Sequence, residues 1–125
     1  MSNDSLLDTV RTEISGRLKS AVKERDQVSA NALRSALSAL DNAGAQPLAL
    51  APAVPHGSAA EVPRRELSGA EIKALLLTEA EEHAAAAAQY ERLGHSERAA
   101  RLRREAAIIR GTLEHVAASD PAASQ

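Results

Sequence analysis

Four histidines, His56, His83, His95 and His115, are the side chains of this sequence best suited to bind a metal ion or carry protons near neutral pH. A di-metal helical bundle uses Glu-x-x-His pairs on facing helices, and none of the four is preceded by an acid at that spacing. Glu79 and His83 stand one helical turn apart. That spacing reads as a pair on a helix surface, or as a histidine half buried beside Tyr90. His56 falls in a Pro/Ala-rich stretch and His95 in a turn, so no shared site is expected. The absence of cysteine removes disulfides, zinc ribbons, iron–sulfur clusters and thiol nucleophiles together. Every informative serine stands where a helix needs a cap, and the glycines are scattered singly, leaving no phosphate-binding loop. The sequence therefore predicts no catalytic residue, no metal site, no cofactor and no small-molecule substrate, and an autonomous enzyme is the disfavoured reading.

Arginines offer the other chemistry. Arg98, Arg101, Arg103, Arg104 and Arg110 crowd one helix and could track a phosphate backbone. Glutamates interrupt them and no aromatic residues are interleaved for base stacking, so Glu97, Arg101 and Glu105 are expected to form ion pairs one turn apart on a solvated face. Arg34 is expected to pair with an acid of the opposite hairpin. The candidate contacts for an RNA or a protein partner are Arg34, Arg92, His95, Arg98, Arg101 and Arg104.

Hydrophobic periodicity specifies the elements that would carry these groups. Leu7, Val10, Ile14, Leu18 and Ala21 with Val22 recur at steps of three or four and predict a helix over 5–24. Asp26 can cap the next, whose stripe is Leu33, Ala36, Leu37 and Leu40, and Gly44 closes it. Ser68 and Glu71 form a capping box, and Leu67 can staple onto Ile72, so a third helix starts there and ends at Leu93 and Gly94. Ser96 is expected to cap a fourth with Ala99, Leu102, Ala106, Ile109, Leu113 and Val116. The prediction is an all-α chain of two antiparallel helical hairpins, over 1–44 and 67–117. A flexible Pro/Ala-rich linker over 45–66 joins them, and a disordered tail covers 118–125. Whether the hairpins dock on one another stays open.

A chain of 125 residues fits one domain, but much of its 44% hydrophobic content is alanine and Tyr90 is the only aromatic residue. Each buried position then contributes little area, which favours closely spaced helices and self-association or a protein partner. The net charge of −2 creates no overall field for nucleic acid or anionic lipid. No signal-peptide pattern or membrane-length apolar run is present, so a cytoplasmic location is expected.

Two stretches resemble a known family. Leu33-Arg34 with Ala39 and Asn42-Ala43 is similar to the end of the first hairpin in YqeY-like proteins. The run Tyr90-Glu91-Arg92-Leu93-Gly94-His95-Ser96-Glu97, continuing to Glu105 and Ile108-Ile109, resembles that family's aromatic-x-x-x-Gly-Arg-x-acid turn and following helix. Residues 60–67 resemble a short motif of actinobacterial members. His95 stands where the family has arginine, Leu102 replaces an acid, and Arg98 replaces a leucine. The Tyr-Leu-Pro link and compact tail domain of such proteins are not expected after Glu114. Resemblance to this GatB/YqeY group implies a helical fold and a relation to the tRNA-dependent amidotransferase B subunit. The two functions it implies are a non-catalytic binding or interaction module, and an accessory in glutamine-dependent amide transfer on charged tRNA. The second would carry a carbon–nitrogen ligase label with glutamine as amido-N-donor.

Overall fold

The computed structural model describes residues 5–45 and 66–119. The predicted linker, apart from its two end residues, His56 and the last six residues lie outside the described residues. Four helices follow in order: α1 (Leu6–Lys23), α2 (Gln27–Ala45), α3 (Gly69–Arg92) and α4 (Ser96–Ser119). The all-α expectation holds, and so does its division into hairpins, because α1 packs on α2 and α3 packs on α4.

Local chemistry places the helix ends. The Ser5 hydroxyl accepts from the Asp8 N–H at 3.1 Å and starts α1. At α3 the capping box is complete, with the Ser68 hydroxyl accepting from the Glu71 N–H and the Glu71 carboxylate accepting from the Ser68 N–H. Asp26 caps α2 by accepting from the Ser29 N–H and hydroxyl. Two ends differ from expectation. Gly44 lies within α2, which runs to Ala45. Ser96 is the first residue of α4 rather than its cap, and His95 takes the cap position, its carbonyl accepting from the Ala99 N–H.

Both hairpins turn in the same way. The Asp26 N–H bonds the Ala21 carbonyl and the Arg25 N–H the Val22 carbonyl, while His95 bonds Tyr90 and Gly94 bonds Glu91 in the same pattern. This double closure requires a left-handed residue at its centre. Gly94 meets the requirement with φ +86, but in the first hairpin the position belongs to Arg25 at φ 61. A side chain there costs about 1 kcal/mol relative to glycine. Arg25→Gly is therefore expected to raise the denaturation midpoint, and Gly94→Ala to lower it although open space surrounds that position.

The open question of docking is answered by the core. Val10, Ile14, Leu40, Ile72, Leu76, Ile109 and Val116 are fully buried and belong to one cluster drawn from all four helices. Among the described residues, nine of the 19 buried hydrophobic ones are alanines, so much of the packing relies on close backbone approach. Within the first hairpin, Arg11 Nε reaches the Asp41 carboxylate at 2.8 Å. Both partners are about a third exposed or more, which limits the pair to at most about 1 kcal/mol.

The hairpins are unequal in length. The turn of the first lies at a shallow cleft lined by Asp26, Ser29, Arg104 and Ile108. From that level the stretch of α4 from Arg104 back to Ser96 runs about 12 Å further at 1.5 Å per residue. The second hairpin thus projects past the first as a two-helix arm.

Candidate functional site

The arm brings together most of the polar residues singled out in the sequence. At its tip the Arg98 guanidinium lies 4.8 Å from the centre of the Tyr90 ring, within cation–π range. His95 meets the same ring edge-on, with centroids 5.9 Å apart. Arg103 reaches back to the Glu91 carboxylate at 2.9 Å and ties α4 to α3. Between these contacts Leu93 stands 70% exposed, the most exposed large hydrophobic residue described. The closed turn at Gly94 fixes its backbone, so an apolar side chain is held out on a rigid support flanked by cations.

Arg92, Arg98, Arg101 and Arg104 are all exposed on this arm. Arg92 and Arg101 carry no ion pair among the described residues. Arg104 contributes to the field that lowers the Asp26 pKa. Arg34 is set apart in the first hairpin, exposed beside Ala30 and Arg25, and makes no ion pair among the described residues. Its expected partnership across the hairpins is not formed there.

The histidines go to three different places. His115 on α4 lies 3.7 Å from the Glu13 carboxylate on α1. His95 is at the tip. His83 is held between carboxylates at the base of the arm, its Nδ1 2.9 Å from the Glu79 carbonyl and 3.8 Å from the Glu79 carboxylate, its Nε2 3.5 Å from Glu105. Among the described residues, no group of three or more histidines and acids is placed to hold a metal ion. A carbonyl only accepts, so Nδ1 must donate to it, which turns Nε2 toward Glu105.

Glu105 corrects the sequence reading. It was expected on the solvated face, paired with Arg101, yet its side chain is 8% exposed and faces His83. The signal was available in the spacing: Glu105 lies three residues after Leu102 and four before Ile109, on the apolar stripe itself. Its exchange of water for an imidazole marks where the arm leaves the bundle.

Among the described residues, Asp26 and Glu79 titrate away from their ordinary range with opposite consequences. The side-chain and backbone donors of Ser29, with the field of Arg104, lower the Asp26 pKa. Its folded value then lies below its unfolded one, so its stabilisation is complete above the ordinary carboxylate range and is lost as pH falls through the lowered value. Glu79 is shifted up by burial. Folding stability therefore declines at this residue as pH rises from the ordinary glutamate range through the raised value. Asp26→Asn is expected to flatten the acid limb of a plot of stability against pH, as measured by urea unfolding from about pH 2 to 6.

No protein-family model, no curated protein and no solved structure matches this sequence. Among the described residues no helix is long and apolar enough to cross a membrane.

Proposed function

We propose that this chain is a non-catalytic helical interaction module, related to YqeY-like proteins, in which the projecting arm is the contact element. The observation that carries this reading is the tip: Leu93 exposed on a fixed turn, beside an arginine held against Tyr90. An ordered cation and an apolar anchor on a rigid support form a low-entropy contact surface, of the kind that dominates protein interfaces. The stretch that resembles the family turn is the same stretch, Tyr90 to Glu97. A cytoplasmic protein is the partner class that fits a sequence without cysteine.

The test is a pair of substitutions at the tip. Leu93→Glu with Arg98→Ala is expected to leave the unfolding free energy within about 1 kcal/mol of the parent, because both positions are exposed. The same variant should fall out of the complexes that the parent chain forms, as read by size-resolved co-fractionation in high and low salt. Retention of all complexes by the double variant would refute the reading.

A second reading is favoured by the unpaired cations. Arg92 and Arg101, with Arg98 and Arg104, are the residues through which the arm would hold charged tRNA as an accessory in glutamine-dependent amide transfer. About four phosphate contacts predict an affinity falling on the order of a hundredfold over a fourfold rise in salt. An apolar protein contact predicts little change, and no tRNA binding at low salt would end this second reading.

A further inference from the structure

A groove of about 510 Å³ runs between α2 and α3, with Ala39, Ala43, Ala74 and Leu75 among its lining and Glu71, Glu79 and Glu82 along its α3 wall. Its character is the complement of the arm tip, where an exposed leucine is flanked by Arg92 and Arg98. We infer that the groove receives the arm tip of a second copy of this chain, with Leu93 entering beside Leu75 and Arg92 facing the acidic wall. The inference rests on the reading of the tip as the contact element and names its partner.

Three observations on α3 carry it. Leu75 and Leu93 are about 27 Å apart along the helix at 1.5 Å per residue, so the tip cannot reach the groove of its own rigid hairpin. In a two-fold antiparallel pairing, each tip lies over the other copy's groove and the midpoint of the contact falls near Ala84. That is the alanine run, where Ala84, Ala85 and Ala86 allow two helices to approach closely. The flank itself is continuous: Leu75, Thr78, Glu82, Ala85 and Gln89 recur at steps of three and four and lead to Leu93.

Charge agrees with the register. Antiparallel pairing sets Arg92 within about one turn of Glu79 in the second copy. Glu79 is the acid of the wall whose side chain is 23% exposed, and among the described residues no lysine or arginine pairs with it. An arriving guanidinium would satisfy it. The two Glu82 side chains meet near the axis, so Glu82→Gln is expected to tighten the pair. A symmetric contact of this kind closes on itself and stops at two copies.

Cysteine placement tests the geometry directly, since the native chain has none. Ala74→Cys with Leu93→Cys, both at exposed positions, is expected to give a covalent dimer on oxidation. Ala74→Cys with Ala100→Cys, also exposed, should not. By sedimentation equilibrium, the parent chain should associate to a dimer and Leu93→Glu should weaken it roughly tenfold or more. Equal cross-linking of the two cysteine pairs, or a parent chain that is monomeric up to about 1 mM, would overturn the pairing. A chain that dimerises only after residues 46–65 are replaced by a Gly/Ser segment would overturn it too, by showing the groove filled within one copy. If the chain is monomeric and Leu93→Glu still strips it from complexes with other proteins, self-pairing fails while the arm's role stands. If Leu93→Glu alters neither, both fail.

Discussion

Replacing Leu76 by alanine is expected to lower the unfolding free energy by about 2–5 kcal/mol, the largest effect of any single truncation considered. Leu76 is fully buried on α3 within the cluster shared by all four helices. Its removal costs the transfer free energy of its methyl and methylene groups and leaves a cavity. That cavity closes poorly here, because several of its neighbours in the cluster are alanines with no rotamer to swing inward. The next residue supplies the control, since Leu77 is 40% exposed and Leu77→Ala should change stability by no more than about 0.5 kcal/mol. Urea denaturation of the two variants measures the contrast, with the dependence on urea unchanged if only the native core is altered. Equal losses for the two substitutions would mean that the four helices do not share one core.

The second large effect is expected at His83. His83→Ala removes the bond from Nδ1 to the Glu79 carbonyl together with the imidazole that faces Glu105, whose side chain is 8% exposed, which costs about 1–3 kcal/mol. The loss is specific to the pair rather than to the volume removed. In a Glu105→Leu background, His83→Ala should therefore cost clearly less, and the difference between the two costs is the coupling energy. Glu105→Leu by itself is expected to cost less than His83→Ala, because it removes a buried carboxylate while the imidazole keeps its bond to the Glu79 carbonyl. Additive effects would show that the imidazole and the carboxylate do not interact.

The helix ends were legible in the sequence because capping is local chemistry. Ser68 with Glu71, Asp26, and Gly94 each act within four residues, and each stands where the spacing placed it. The left-handed residue of the first turn was not legible, since Arg25 has no feature that favours that conformation and is held there by the two closing bonds. Docking of the hairpins depends on the fit of two surfaces far apart in the chain, which periodicity along one helix does not encode. The candidate site was legible in its parts: Tyr90, Arg98 and His95 could be named from composition. Their mutual stacking needed the geometry of the turn. The inward rotation of Glu105 was readable from its position on the apolar stripe and was obscured by the convention that a charge beside an arginine pairs with it.

Where the arm leaves the bundle, α3 and α4 meet through Ala80, Ala87, Ala99 and Ala106, each no more than 2% exposed. Between helices that touch through methyl groups, adding atoms is a graver change than removing them. Valine or leucine at Ala87 or Ala99 would wedge the pair open near its free end. A small splay there would be magnified into a displacement of the last turn, shifting Leu93 and Arg98 without altering either. Such variants would keep the four-helix base intact and lose only the aim of its tip.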